Sequence, residues 1–254
     1  MLLHLPYIVR SLKIYTGAYF FVERSPMKSL LNYFTLTEKL LWSLSVLFIT
    51  VSFFIFDREG YIYLITSLIG VTFLIFCAKG NPIGQALTVV FSIMYSVISF
   101  YYAYYGEMIT YLGMTAPAAV VALISWLRHP YKGKKSEVTV SSISKKDVIN
   151  MIWLSIVVTA IFYFILKFFN TANLYVSTVS ITTSFMAVYL SFKRSPYYAL
   201  AYALNDVVLI VMWIMAALSD SSCISVVICF LVFLVNDMYA FINWKRMQKK
   251  QGAE

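Results

Sequence analysis

The sequence predicts an all-α integral membrane protein of about eight transmembrane helices, an N-terminal helix followed by a three-plus-one-plus-three core. Three observations predict it. Hydrophobic residues make up 61% of the 254 positions and charged residues 12%, with a mean hydropathy of +0.79. A soluble domain carries roughly 25% charge. Second, apolar runs long enough to cross about 30 Å of hydrocarbon recur along the chain. Third, of the 20 Lys and Arg, only Arg58 and Lys167 fall in joints on the side opposite the rest. That asymmetry orients both termini and the long loop toward the cytoplasm.

Residues 1–38 mix aromatic and basic side chains (Tyr7, Arg10, Lys13, Phe20, Arg24, Lys28) without a spanning run. They read as an interfacial segment, held by apolar contact and by attraction to anionic lipid. There is no short apolar core with a small-residue cleavage site, so no cleaved signal peptide is expected. Thr35–Glu38 fits a capping box and opens the first helix, 39–57. The spans are expected at 40–56, 61–78, 83–105, 108–127, 148–168, 173–192, 196–218 and 222–243. Short polar joints separate most of them, among them Asp57-Arg58-Glu59, Gly106-Glu107 and Lys193-Arg194-Ser195. Pro82 and Pro196 stand at helix starts, where a missing N–H costs little. Pro117 falls inside the fourth span, where a kink is expected. The basic loop 128–147 and the basic tail 245–254 complete the chain.

A repeat divides the core. Pro82 and Pro196, 114 residues apart, open the middle helices of two three-helix groups, 60–127 and 172–244. Trp126 and Trp244 close the last helices, each followed closely by a basic residue. Span 148–168 links the groups, which therefore share one orientation. Parallel repeats of this type occur in SWEET transporters, with the substrate site near the midplane between halves.

The polar residues inside spans are the candidate site. Asn205 and Asp206 lie near the middle of the seventh span, where a carboxylate costs about 2.5–3.5 kcal/mol to insert. Such residues face a bundle interior or a wet path, and they read as functional unless they only tie helices together. Tyr198, Tyr202 and Trp213 accompany them. In the third span Gln85, Thr88, Ser92 and Tyr95 form a stripe at helical spacing. It serves either substrate contact or helix–helix contact. Asn236, Asp237 and Tyr239 in the eighth span serve ligand contact, structure or gating. Aromatic rings with amide and carboxyl groups suit an uncharged solute with a ring and hydroxyls. Trp126, Trp153 and Trp244 are expected as anchors at the membrane boundary. Cys77, Cys223 and Cys229 have no metal or redox spacing and read as small buried hydrophobes. No catalytic set, metal cluster or phosphate loop is visible, so neither an enzyme, an ATPase within this chain nor a resident cofactor is expected.

These residues resemble the PnuC family of vitamin transporters. The blocks KGNPIGQALTVVFS (79–92), YYGEMITYLGMTAPAAVVALISWLRHPYKG (104–133), YALAYALNDVVLIVMW (198–213) and VNDMYAFINW (235–244) carry the resemblance, which covers 40–247. It implies a SWEET-like fold and facilitated uptake of nicotinamide riboside across a bacterial cell membrane. It also implies capture through phosphorylation by a cytosolic kinase. Asn205 with Tyr198 two turns before it resembles the family's aromatic-plus-asparagine motif, although Tyr198 and Ala201 stand where paired tryptophans are common. Sister branches carry thiamine, riboflavin or deoxynucleosides. Proton-coupled uptake through Asp206, and a membrane sensor or scaffold without flux, are the alternatives. The expected partners are the small-molecule substrate, membrane lipid and the kinase, with homo-oligomerisation left open and nucleic acid excluded.

Overall fold

A computed structural model describes residues 32–101, 105–171 and 173–252. The interfacial segment expected at the N-terminus lies mostly outside them. Among the described residues eight helices are long and apolar enough to cross a membrane: α1 (Leu36–Phe56), α2 (Tyr61–Ala78), α3 (Pro82–Tyr101), α4 (Tyr105–Arg128), α5 (Lys145–Phe168), α6 (Leu174–Phe192), α7 (Tyr197–Ala217) and α8 (Ser221–Gly252). This is a multi-pass membrane protein. In hydrocarbon every backbone polar group needs an internal partner, which is why the spans are helical throughout.

Local chemistry sets the helix ends. Thr35 and Glu38 close the expected capping box, with Glu38 accepting from the Thr35 N–H at 2.7 Å. A second box, Ser144 with Asp147, opens α5. Asp147 also pairs with Lys193 at 2.7 Å, and its carboxylate holds the Lys193 ammonium above its ordinary pKa. In α4 the expected kink at Pro117 takes the form of a π turn, Tyr111–Thr115, just before it. Proline has no N–H to give the preceding turn, and the wider turn absorbs the change.

The repeat extends to individual hydrogen bonds. Gly80 (φ +65°) and Arg194 (φ +56°) take left-handed conformations, 114 residues apart. Gly80 N–H donates to Cys77 O and Asn81 N–H to Phe76 O. Arg194 and Ser195 make the same two bonds to Ser191 and Leu190. These are Schellman caps on α2 and α6. Within each half the middle helix packs on both neighbours. Between halves, α2 meets α8 and α4 meets α6, as a two-fold axis along the membrane normal requires. α5 packs on α6 and leaves Ile149, Ile152, Trp153 and Phe164 facing outward.

Three features depart from expectation. The loop after α4 holds a small antiparallel hairpin, β1 (Pro130–Tyr131) with β2 (Lys134–Val138). At its end and just beyond, the Val138 and Ser141 N–H groups donate to Gly80 O and Arg194 O, tying both turns at the basic end of the bundle. α8 continues through the basic tail to Gly252. Glu107, expected in a polar joint, is buried in α4, and its Oε2 has no partner. Glu107 is therefore a poor labelling site, whereas Lys134 and Asp220 are exposed at opposite ends. With a cysteine placed at each, an impermeant thiol reagent is expected to reach Asp220 and Lys134 from opposite faces of the membrane. Labelling of both from one face would break the eight-span topology.

Candidate functional site

A cavity lies between two buried clusters, one at the basic end and one toward the opposite end. Its wall includes Gln85, Thr88, Tyr198, Tyr202, Asn205, Asp206 and Asp237 of the expected residues. It measures about 50 Å³. A water needs about 10–15 Å³ by this measure, so the space holds only a few waters.

The seventh helix brings most of the polar groups. Ala199, Ala201 and Ala203 are buried with short side chains, so α7 packs close to its neighbours. Asn205 follows two turns after Tyr198. Its Oδ1 accepts from three hydroxyls of α6: Thr183 at 2.8 Å, Ser184 at 3.0 Å and Ser180 at 3.4 Å. That grip fixes which end of the amide points into α6. Asp206, the next residue, is 5% exposed and interacts directly with Asp237 of α8. The Asp206 Oδ2 atom is buried without a hydrogen-bond partner. A stranded buried acceptor costs about 1–3 kcal/mol, more when charged, so this atom favours any ligand that donates to it. Among the described residues, no Lys, Arg or His lines the wall.

Gln85 and Thr88 supply the α3 side. The Gln85 amide donates to Ser191 Oγ at 3.1 Å, and the Thr88 hydroxyl donates back to Gly84 O. Gly84 has no room for a side chain, since a Cβ there would sit 2.5 Å from Cys77 Sγ. The apolar wall is Phe73, Phe91, Tyr111, Phe230 and Phe233.

The remaining expected residues lie elsewhere. Trp213 Nε1 donates to the Tyr95 hydroxyl at 3.1 Å, and the Tyr95 ring stands 4.4 Å from Tyr111. Trp213 and Tyr95 thus belong to an aromatic layer on the far side of the cavity, outside its wall. Ser92 donates to Thr88 O within its own helix. Asn236 bonds Ser45 of α1 at 2.9 Å and faces away from the cavity. Tyr239 packs on the basic-end cluster.

Trp126 and Trp244 are a correction. Both are fully buried, so they are not boundary anchors; Trp153, 65% exposed, is the one that faces outward. Trp126 Nε1 donates to Ser191 O at 2.9 Å, and Trp244 Nε1 donates to Cys77 O at 2.8 Å. The neighbouring Ser125 and Asn243 donate to Phe192 O and Ala78 O, and these two acceptors are again 114 residues apart. Each half therefore grips the first helix of the other. Sequence reasoning also missed the α6 hydroxyls. Ser177, Ser180 and Ser184 recur at spacings of 3 and 4, which is a readable helical stripe.

The family model described as nicotinamide mononucleotide transporter matches residues 60–246. The chain belongs to this transporter family. A relative from Neisseria mucosa, named nicotinamide riboside transporter PnuC, is 20% identical over 217 residues, 84% of this chain and 82% of the relative. A solved structure titled the crystal structure of the vitamin B3 transporter PnuC superposes with a TM-score of 0.75 at 19% identity, covering 86% of this chain and 94% of that one. That likeness is one of fold, and it agrees with the three-plus-one-plus-three arrangement. Membership makes the protein a transporter rather than an enzyme.

The two buried asparagines are expected to separate on substitution. Asn205→Leu removes the shared acceptor of three α6 hydroxyls, of which Ser184 lies in the wall, and should weaken binding of nicotinamide riboside roughly tenfold, the worth of one to two hydrogen bonds. Asn236→Leu should lower the melting temperature and leave affinity unchanged. Calorimetric titration and thermal melts of both variants check this; equal affinity loss in the two would mislocate the site.

Proposed function

We propose that the protein carries nicotinamide riboside across the membrane by facilitated diffusion. The two halves rock about the cavity and open it to one side, then the other. The observation that carries this reading is charge. The wall holds Asp206 and Asp237 and, among the described residues, no basic side chain. Nicotinamide riboside presents a pyridinium cation and neutral ribose hydroxyls. Asp206 and Asp237, in direct contact without a basic partner, share a proton, so the pair carries at most one negative charge; that charge repels the phosphate that the mononucleotide in the family's description adds. The name of the Neisseria relative supports the riboside.

The wall offers a role for each part of that ligand. Phe91, Tyr111, Phe230 and Phe233 present aromatic surface to the ring. Asp206 Oδ2 accepts from a ribose hydroxyl or faces the cation. The amide nitrogen of Asn205 donates to a ligand oxygen. A nucleoside needs more than a few waters' space, so binding widens the cavity. The two buried aromatic layers at its ends support an occluded state between outward and inward openings.

Charge asymmetry supports cytoplasmic termini in a bacterial cell membrane. The family resemblance supports capture of the carried riboside by a cytosolic kinase. A second reading, proton-coupled uptake, is favoured by the direct contact of Asp206 with Asp237.

Uptake into liposomes containing only the purified protein tests both. Labelled nicotinamide riboside is expected to enter until inside and outside concentrations match, without response to an imposed pH gradient. The mononucleotide should not compete. Asp206→Asn should reduce riboside affinity about tenfold or more, the loss of a charge-assisted bond. Accumulation driven by a proton gradient would favour coupling, and equal competition by the mononucleotide would overturn the charge argument.

A further inference from the structure

We propose that Tyr198 is a positioning residue that links the cavity to the closure at the basic end, and that its ring does not stack on substrate. The proposal rests on the transport reading above.

Tyr198 belongs to both places. It lies in the cavity wall and is 2% exposed. Its ring stands edge-on to Trp244 at 4.8 Å, to Trp126 at 6.2 Å and to Tyr202 at 6.1 Å. Its hydroxyl donates to Cys77 O at 3.1 Å. The same carbonyl accepts from Trp244 Nε1 at 2.8 Å and from Gly80 N–H at 2.9 Å. A carbonyl oxygen has two lone pairs, so three donors share one acceptor. Three aromatic neighbours leave the phenol little free surface for a substrate ring.

The repeat shows that the bond is an addition. In the other half Ser191 O accepts from Trp126 Nε1 and Arg194 N–H, and Gly84 stands at the position equivalent to Tyr198. That half keeps its cap and its indole bond without a tyrosine. The Tyr198–Cys77 bond therefore exists on one side only, and it is the side that carries Asn205 and Asp206. A ligand that widens the wall between Tyr198 and Asn205 displaces the phenol. The phenol cannot move without withdrawing its hydroxyl from Cys77 O and its ring from both indoles. Occupancy of the cavity thereby loosens the basic-end closure.

Cys77 reports on this directly, because it lines the cavity beside the closure. In the full chain with Cys223→Ser and Cys229→Ser, Cys77 is the sole thiol. A charged methanethiosulfonate reagent is applied to the basic face in oriented vesicles. Tyr198→Phe is expected to speed Cys77 modification about two- to tenfold, the worth of one neutral hydrogen bond. Nicotinamide riboside affinity should stay within about threefold and the maximal transport rate should change. Trp244→Phe, which removes the other side-chain donor to the same carbonyl, should speed modification as well. An unchanged Cys77 rate in Tyr198→Phe overturns the proposal. So does a tenfold loss of riboside affinity at unchanged Cys77 rate, which would make Tyr198 a direct ligand. If the native protein binds no nicotinamide riboside, the substrate reading fails, yet the labelling rates still decide the closure.

Discussion

Two backbone carbonyls, Cys77 O and Ser191 O, hold the arrangement on which the cavity depends. Each ends the first helix of one half, and each accepts an indole N–H from the last helix of the other half. A buried tryptophan needs a partner for its N–H, and a helix end leaves carbonyls without intrahelical donors. The exchange satisfies both needs at once in a setting without water. It also makes the halves interlock instead of merely touching, so the space between α3 and α7 has a fixed floor. Ser125 and Asn243 repeat the exchange one residue earlier.

From that floor the rest follows in layers. Small residues on α7 draw the helices close, and the α6 hydroxyls hold Asn205 in a set orientation. Asp206 then faces Asp237 across α7 and α8 with one oxygen left over. On the far side of the cavity the Trp213–Tyr95 bond also joins the two halves. In the proposed carrier, function and packing draw on the same groups, because the bonds that define the halves border the cavity that rocking would open.

Much of the fold was legible because its signals are coarse. Spans need length and apolarity, and orientation needs only the placement of Lys and Arg. The prolines at 82 and 196 and the tryptophans at 126 and 244 marked the repeat. Tryptophan's role is not legible in the sequence for a physical reason. An amphipathic ring near a span's end fits either the boundary or a buried cap, and only a partner carbonyl distinguishes them. The partner lies 65 or 167 residues away in sequence. The site was legible in part. Asn205, Asp206 and Asp237 stand out as polar residues in apolar runs, and all three reach the cavity wall. Asn236 carries the same signal, yet a rotation of one residue about α8 turns it toward α1. Helical phase relative to neighbours decides such cases, and hydropathy does not encode it. The α6 hydroxyls were overlooked because serine and threonine are common in spans, although their spacing was available.

In the proposed carrier the Asp206–Asp237 pair, with no basic partner among the described residues of the wall, selects a cationic nucleoside. The direct measurement is calorimetric titration of the purified native protein with nicotinamide riboside and with its uncharged dihydro form, which keeps the ribose and nearly the same shape. The account predicts that the cation binds at least tenfold more tightly, and that Asp206→Asn narrows the difference. Equal affinity for the two forms in the native protein would contradict it.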